Sequence, residues 1–263
     1  MPEGDTVWLT GRRLRGALAG RTLTAAELRV PRYATAELTG HMVREVVSVG
    51  KHLLIRIGPD LTLHTHLGME GSWRIARAGA RWPDEREPVR VILANEAAVA
   101  IGHRLARVDL VPRTEEDALV GHLGPDLLGA GWDPDEAVRR LAAVPDRPVG
   151  EALLDQANLA GIGNLYRAEL LFLRGVHPLT PVSDAGDLPR MVRLARQLLW
   201  TNREHPEQAT TGNLRRGHQH WVYGRAGEPC RRCGTRIRGG AVGPTSQERR
   251  TFWCPSCQPA PPT

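Results

Sequence analysis

Residues 230–257 read CRRCGTRIRGGAVGPTSQERRTFWCPSC and decide the fold of the C-terminal end of the chain. All four cysteines lie here as two Cys-x2-Cys pairs, Cys230 with Cys233 and Cys254 with Cys257, separated by twenty residues. Two such pairs around an insert of hairpin length are typical of a tetrahedral structural zinc site. Because four thiolates leave no open coordination position, we expect one Zn²⁺ ion with a structural role.

The insert between the two cysteine pairs predicts a β-hairpin. Gly239 and Gly240 precede the basic, aromatic run Gln247–Trp253, which favours a glycine-bearing turn and a second strand. A hairpin of this size cannot build a core of its own, but pinned by zinc it can hold an arginine rigidly against a phosphate.

The charge of the chain is concentrated at the same end. The chain has 35 basic and 29 acidic residues, a net charge of +6. From Arg203 to Cys257, ten arginines against four glutamates account for that whole excess. A basic excess confined to one segment, here with Trp221 and Tyr223 among the arginines, indicates a polyanionic partner and favours nucleic acid over a merely solvated tail.

The chain lacks the signals of a membrane or secreted protein. No apolar run approaches the roughly 20 residues that a membrane span requires. The first 25 residues carry several arginines and no apolar core of a signal peptide. We therefore expect a cytoplasmic protein with reduced thiols, which argues against two disulfides at the cysteine pairs.

Lysine is almost absent from the sequence. Of the 35 basic residues, 34 are arginine and one is Lys51. Arginine cannot lose its proton at accessible pH, whereas lysine can act as an acid, a base or a compact phosphate contact. Either Lys51 has a specific role that requires lysine, or this one lysine was retained by chance in a chain that otherwise uses arginine.

The chain begins Met1-Pro2-Glu3-Gly4. Once Met1 is removed, Pro2 is a terminal secondary amine beside a carboxylate. Such an amine can condense with an aldehyde carbon to give an iminium, and its ordinary pKa of about 7.7–8.0 leaves a useful fraction unprotonated near neutrality. The alternative is a disordered terminus that begins with proline by chance.

Hydrophobic patterns predict an α+β multidomain protein. Its expected parts are a β-sandwich domain at 1–115, a linker at 116–132, a helical domain at 133–218, the finger at 219–258 and a tail at 259–263. The patterns predict strands at Val43–Val49, His52–Ile57, Leu61–Leu67, Val89–Ala94 and Ala98–Ile101, and helices at Thr6–Leu18, Glu136–Ala143, Glu151–Ala157, Leu165–Arg174 and Pro189–Arg203. The segment Leu159–Asn164 can present backbone amides to a phosphate at a helix N-terminus, or its glycines can simply end a helix.

Taken together, these segments resemble the formamidopyrimidine-DNA glycosylase and endonuclease VIII family of base-excision repair enzymes. The resemblance spans essentially the whole chain. Its marks are Met1-Pro2-Glu3-Gly4, Gly50-Lys51-His52-Leu53-Leu54, His66-Leu67-Gly68-Met69, Leu154-Asp155-Gln156 through Arg167, Gly227–Cys230 and Arg249–Cys254. It implies a β-sandwich, a helix–two-turns–helix domain and a zinc-finger hairpin. It also implies a monomeric, bifunctional DNA glycosylase and AP lyase that acts on damaged DNA.

The resemblance implies four catalytic residues. Pro2 is the nucleophile that attacks the sugar C1′, and Glu3 is the acid and base that assists it. Lys51 matches the lysine implicated in β-elimination and phosphate contact. Arg249, five residues before Cys254, matches the finger arginine that grips the lesion phosphates and is linked to δ-elimination. For Glu3 the alternative is an exposed terminal carboxylate.

The resemblance also implies DNA contacts. Asn164 is expected to hold backbone phosphate, together with Arg249. Met69 is expected to fill the space left by the flipped base. His122 is the basic residue at the position where family members often carry one before Gly-Pro-Asp. The alternatives are a helix cap for Asn164 and a core filler for Met69.

Several positions depart from the family pattern. Asp5-Thr6 stands where Pro-Glu is common, so an early second carboxylate is shifted or lost, with Asp5 a partial replacement. Glu70 is a poor wedge near phosphates, so void filling falls to Met69 with Arg104 or Arg107. The Gly4-Asp5-Thr6 start favours the endonuclease VIII branch and oxidised pyrimidines. An oxidised-purine glycosylase and a zinc-finger protein that binds damage without cutting are the alternatives.

Overall fold

The computed structural model describes residues 2–79, 88–242 and 249–261. The chain divides into two compact units, Met1–His122 and Leu123–Thr263. The division falls inside the segment that we predicted as a linker.

The first unit consists of one long helix and two antiparallel sheets. Its elements are α1 (Gly4–Leu18), β1 (Arg21–Thr22), β2 (Ala25–Leu28), β3 (Met42–Val49), β4 (His52–Ile57), β5 (Leu61–His66), β6 (Ser72–Arg77), β7 (Val89–Ala94), β8 (Ala98–His103), β9 (Arg107–Pro112) and α2 (Glu116–Val120). One sheet has the order β1-β3-β4-β5-β9 and the other β2-β7-β8-β6. Short 3-10 turns lie at Pro31–Tyr33 and Arg113–Glu115.

Both sheets and α1 share one hydrophobic core, so the first unit is the predicted sandwich. Leu53 and Leu63 contribute from the five-stranded sheet, and Leu93 contributes from the four-stranded sheet. The predicted apolar stripe of α1 is confirmed, because Val7, Leu14 and Leu18 are all buried in this core. The helix begins two residues earlier than predicted, at Gly4.

The central strand β5 differs from a strand with one solvated face. We predicted its leucines from their period-two pattern, but Thr62 and His64 between them are also fully buried. Both side chains have polar partners on that face: His64 contacts His52 and Asp109, and Thr62 contacts Glu116 of helix α2, which was not predicted. Glu116 of α2 accepts hydrogen bonds from Thr62 and from Arg56 of the neighbouring strand. Sequence patterns also missed β1, β2, β6 and β9, which are short or carry exposed arginines.

The second unit is helical and ends in a two-stranded hairpin. Its elements are α3 (Pro134–Leu141), α4 (Val149–Ala152), α5 (Asn164–Arg174), a 3-10 turn (Val182–Asp184), α6 (Leu188–Asn202), β10 (Arg238–Val242) and β11 (Arg249–Trp253). The predicted cap of α3 is confirmed, because Asp133 accepts hydrogen bonds from the amides of Asp135 and Glu136. Helix α5 ends at Gly175, which adopts φ +70°.

The predicted helix Glu151–Ala157 is wrong beyond Ala152. Helix α4 ends there, and the chain continues as turns. The Asp155 carboxylate accepts a hydrogen bond from the amide of Ala157 and pairs with Arg147. The side-chain amide of Gln156 donates to the carbonyl of Ile162. Such local side-chain bonds compete with the helical backbone pattern.

The predicted hairpin is confirmed. Strands β10 and β11 pair antiparallel with Gly240 opposite Thr251. Both predicted turn glycines lie within β10, and the turn itself lies outside the described residues. Gly240 is required for close packing, because a Cβ there would lie 2.8 Å from the Trp253 ring. Phe252 of the hairpin and Phe172 of α5 belong to one hydrophobic cluster. The apolar side of the hairpin is therefore buried against the helix.

Candidate active site and metal centre

Pro2 and Glu3 lead directly into α1. Pro2 is partly exposed, whereas Glu3 is fully buried and its carbonyl accepts the amide of Val7 over 3.0 Å. The alternative of an exposed terminal carboxylate is therefore wrong. Glu3 lies at the N-terminus of a helix, where the aligned backbone dipoles favour negative charge.

A second carboxylate occupies the first turn of the same helix. Asp5 is 1% exposed and accepts a hydrogen bond from the Thr6 hydroxyl over 3.5 Å. The burial of Asp5 beside Glu3 is consistent with its predicted role as a partial replacement for the family's second carboxylate, which stays a prediction.

Lys51 lies in the turn between β3 and β4. Gly50 before it has φ +56°, a conformation that glycine adopts without strain. The flanking residues Ser48 and Leu53 approach α1 at Gly11, where a Cβ would lie 3.0 Å from the Leu53 side chain. The lysine is partly buried, and its charge contributes to lowering the pKa of His66.

Histidines line the sheet face next to Lys51, and sequence reasoning missed them. His52, His64 and His66 occupy neighbouring positions on β4 and β5. His52 Nδ1 lies 2.8 Å from His64 Nε2, and His64 Nδ1 lies 3.0 Å from the Asp109 carboxylate. Because a carboxylate only accepts, His64 donates through Nδ1 and accepts from His52 through Nε2. The signal was the spacing of His64 and His66, which places them on one face of a strand.

The pKa values of all three histidines are lowered in this arrangement. Burial, followed by the neighbouring histidines, lowers the pKa of His52 from 6.5 to about 3. Burial also lowers the pKa values of His64 and His66. The exposed ring of His122 lies edge-on to His52, with 6.4 Å between the ring centroids.

Two loops of the first unit meet around Met69. Gly68 adopts φ +67° and packs so closely that a Cβ would lie 2.5 Å from that of Ala106. Met69 is 65% exposed, so the alternative of a core filler is wrong. Glu70 pairs with Arg104 over 3.1 Å, and Arg104 has φ +46° although it is not glycine. Arg107, the other candidate for void filling, pairs with Asp109 over 2.9 Å.

In the second unit, Asn164 is the first residue of α5. Its Nδ2 donates to the carbonyl of Arg250 over 2.7 Å, and its Oδ1 accepts from Arg167 over 2.6 Å. The N-cap of the helix is Gly163, so the alternative of a side-chain cap by Asn164 is wrong. Asn164 instead joins the helix to β11.

Arg249 and Arg250 are neighbours at the start of β11, and both are exposed. The guanidinium of Arg250 lies 5.4 Å from the centroid of the Phe252 ring. The assignment of Arg249 as the finger arginine stays a prediction.

The four cysteines converge on one point. Their sulfur atoms all lie within 4.8 Å of one another, and this group could hold a metal ion. The Sγ–Sγ distances include 4.0 Å for Cys230 with Cys257 and 3.4 Å for Cys233 with Cys254. These separations exceed the disulfide bond length of about 2.05 Å.

A buried carboxylate anchors the segment that leads into the cysteines. Glu169 of α5 is fully buried and accepts the amides of Trp221, Val222 and Tyr223, each over 2.8 Å. It also accepts a short hydrogen bond from the Thr210 hydroxyl. Four donors compensate the burial of its charge. No local motif marks this residue, because its partners lie more than forty residues away.

Each unit contains a match to one known protein domain. The sequence profile of the formamidopyrimidine-DNA glycosylase N-terminal domain matches residues 1–112, and that of the formamidopyrimidine-DNA glycosylase H2TH domain matches residues 123–198. Two relatives share about half of their residues with this chain over 99% of its length. The chain therefore belongs to the formamidopyrimidine-DNA glycosylase and endonuclease VIII family. The family resemblance and the fold predicted from the sequence are thereby confirmed.

Individual relatives match nearly the whole chain. A Streptomyces coelicolor protein named "Probable endonuclease 8 2" is 52% identical, over 99% of this chain and 95% of its own. "DNA-(apurinic or apyrimidinic site) lyase Nei2" of Mycolicibacterium smegmatis is 49% identical, over 99% of this chain and 100% of its own. The Lactococcus lactis Fpg bound to DNA with an abasic site superimposes with a TM-score of 0.81 and 25% identity, over 98% of this chain and 100% of its own.

The described residues contain no helix with the length and apolar character that a membrane crossing requires.

Proposed function

We propose that this protein is a bifunctional DNA glycosylase and AP lyase of base-excision repair. The observation that carries the proposal lies at the N-terminus of α1. There Pro2, a secondary amine once Met1 is removed, directly precedes Glu3, whose carboxylate is buried. The names of the relatives, endonuclease 8 and AP lyase, support it. The likeness to an Fpg bound to abasic-site DNA supports damaged DNA as the partner. We further propose that the enzyme acts as a monomer.

The proposed chemistry proceeds through a Schiff base on Pro2. The damaged nucleotide is flipped out of the duplex. The Pro2 nitrogen then attacks the sugar C1′ as the bond from C1′ to the base breaks, and the base leaves with a proton. The sugar ring then opens at the C1′–O4′ bond, with a proton delivered to O4′, and the iminium that forms between C1′ and the Pro2 nitrogen acidifies the hydrogen on C2′. Loss of that proton expels the 3′ phosphate, and a second elimination expels the 5′ phosphate, so a one-nucleotide gap remains.

Four residues would share these steps. Pro2 supplies the nucleophile, and Glu3 moves protons at the sugar. Lys51 supplies a titratable amine for β-elimination and a compact charge for phosphate, two roles that arginine cannot combine. Arg249, exposed on β11, would grip the lesion phosphates and promote δ-elimination.

Three further residues would contact DNA. Asn164 lies at the N-terminus of α5, where backbone amides and the helix dipole favour a phosphate. Met69, being exposed, is suited to fill the space of the flipped base. His122, also exposed, would donate a hydrogen bond to the phosphate backbone of the DNA.

We propose zinc as the metal of the four-cysteine site. Tetrahedral Zn–S bonds of about 2.3 Å place the sulfurs about 3.8 Å apart. The Sγ–Sγ distances of 4.0 Å for Cys230 with Cys257 and 3.4 Å for Cys233 with Cys254 lie on either side of that value, and all four sulfurs lie within 4.8 Å of one another. Cys230, Cys233, Cys254 and Cys257 would hold the ion. Its role would be to stabilise the hairpin that carries Arg249.

The proposed substrates are oxidised pyrimidines, as in the endonuclease VIII branch that the Gly4-Asp5-Thr6 start favours. Oxidised purines are the alternative. Oligonucleotides carrying one lesion each, thymine glycol or 8-oxoguanine, decide between them by the rate of base release. We propose that the enzyme is cytoplasmic. We also propose the domain boundaries predicted from the sequence: 1–115, 116–132, 133–218, 219–258 and 259–263.

Borohydride trapping on DNA with an abasic site tests the proposed function. Protein whose N-terminus is shown by mass spectrometry to be Pro2 should give a covalent adduct that Pro2→Gly reduces strongly. Lys51→Arg, which keeps the charge, should still bind DNA but cleave the strand more slowly. An unreactive protein with a free Pro2 that still binds damaged DNA would instead support a non-catalytic damage-binding protein.

A further inference from the structure

A basic and aromatic stripe runs along α6. The side chains on this face recur at helical spacing: Arg190, Arg193, Arg196, Trp200 and Arg203. The opposite face of the helix is buried through residues such as Met191, Ala195 and Leu199. Trp200 is 46% exposed, although tryptophan is usually largely buried. The stripe is therefore a surface of α6 that the hydrophobic core does not use.

Tryptophan rings hold two of these arginines in place. The Arg196 guanidinium carbon lies 5.2 Å from the centroid of the Trp132 ring and 5.1 Å from that of Trp200. The Arg203 guanidinium carbon lies 3.3 Å from the Trp200 centroid. Cation–π contacts of this kind order a long side chain while its N–H groups can still bind an anion. Arg203 already pairs with Glu204 over 3.6 Å, so the anion-binding role falls to Arg196. Ordering before binding lowers the entropic cost of binding.

A groove lies beside the stripe, between α6 and α3. Its volume is about 630 Å³, within the range of about 300–1,000 Å³ for ligand sites. Trp132, Pro134, Val138 and Pro189 give it an apolar wall, and Arg193 and Arg196 give it a cationic one. Asp135 also lines it. The groove thus offers space for an apolar side chain next to two positions for carboxylates.

We propose that this groove binds a short acidic peptide segment of a partner protein. An apolar side chain of the peptide enters the groove against Trp132 and Val138, and flanking carboxylates pair with Arg193 and Arg196. Arginine pairs with carboxylates through two parallel hydrogen bonds, which gives the contact direction as well as strength.

A single strand of nucleic acid fits the same surface less well. Such strands bind by stacking bases on open aromatic faces along a basic groove. Here Arg196 and Arg203 already stack on Trp200, so a base would have to displace them. The site shares no residue with the proposed catalytic and DNA-binding machinery.

An array of hexapeptides tests the proposal with the full-length protein. Each peptide carries four acidic and two apolar residues, in all arrangements, and matched peptides carry glutamine in place of the acids. The best binder is then measured in solution by fluorescence anisotropy, alongside a labelled eight-residue oligothymidine. We expect the acidic peptide to bind at least ten times more tightly than its glutamine counterpart.

Variants assign the binding to the groove. Arg196→Gln and Trp200→Ala should each weaken the acidic peptide at least tenfold, whereas Arg139→Gln on the exposed side of α3 should not. All three variants should keep wild-type cleavage of abasic-site DNA, which separates this proposal from the proposed function. Absence of any peptide preferred over its glutamine match, or binding that survives both groove variants, would overturn the proposal. So would oligothymidine binding that the groove variants abolish while peptide binding is absent.

Discussion

The side-chain amide of Asn164 is bonded to the backbone of Arg250, with 2.7 Å between Nδ2 and the carbonyl oxygen. This bond ties the first turn of α5 to the strand that bears Arg249. Both proposed phosphate-binding elements of the second unit are thereby joined through one side chain. Arg167, fully buried, fixes that amide from the other side over 2.6 Å.

Asn164→Ala should weaken DNA binding through the loss of this connection. A neutral hydrogen bond contributes about 1 kcal/mol, so we expect at least about a fivefold loss of affinity for DNA with an abasic-site analogue. Fluorescence anisotropy at fixed salt measures the effect. Asn213→Ala, in an exposed loop of the same unit, is the control. Equal affinities of the two variants would show that the connection does not position a DNA contact.

Glu169→Gln should destabilise the second unit. The amide keeps one acceptor oxygen but brings an NH2 group toward backbone N–H donors, and the charge that strengthened their bonds is lost. We expect a loss of about 2–4 kcal/mol in the free energy of unfolding. Urea titration followed by tryptophan fluorescence measures it, with the exposed Glu207→Gln as control. A change below about 0.5 kcal/mol would mean that the carboxylate charge is dispensable.

Acid should destabilise the first unit through its histidines. The pKa of His52 falls from 6.5 in the unfolded chain to about 3 in the folded one, and those of His64 and His66 are also lowered. The unfolded state therefore binds more protons below about pH 6.5. The stabilisation is complete above that pH and is lost as pH falls toward 3. The same direction applies to each of the three rings.

The comparison of His52→Gln with wild type isolates this effect. Urea midpoints at pH 7.5, 5.5 and 4.5 should fall with pH in wild type and fall less in the variant. The exposed His205→Gln should follow wild type. A variant curve that runs parallel to wild type would show that His52 does not drive the acid sensitivity.

Metal removal should loosen the hairpin. Binding energy at a structural zinc site is folding energy, so a chelator should weaken DNA binding by at least about tenfold and added Zn²⁺ should restore it. Metal analysis should find one zinc per chain. If metal-free protein binds DNA with unchanged affinity, the metal at the cysteine cluster does not contribute to DNA binding.

Local spacing was enough to predict some features of the fold and candidate site. The cysteine pairs lie close in sequence to the turns that bring them together, and α1 shows its apolar stripe within four turns. The predicted helix over Glu151–Ala157 failed because side chains at Asp155 and Gln156 form bonds that a periodicity pattern does not contain. These failures and successes depend on short-range chemistry alone.

Features that depend on strand register were beyond the sequence. His52 and His64 meet only because β4 and β5 pair with Leu54 opposite His64. A one-residue slip would move one of them to the other face of the sheet. Glu169 and its three amide partners require a fold that closes a loop of about fifty residues. Neither arrangement can be predicted from the residues within a short stretch of sequence.

The Glu169 anchor has a consequence for synthesis on the ribosome. Trp221 follows Glu169 by 52 residues. At translation rates of about 5–20 residues per second, α5 waits roughly 3–10 seconds before its carboxylate meets these amides. During that interval the acid stays hydrated and the Phe172 side of the nascent helix lacks its cover. The last sixth of the polypeptide, from Trp221 onward, therefore completes a helix made earlier. A ribosome stalled before Trp221 would hold a chain that chaperones and proteases can reach.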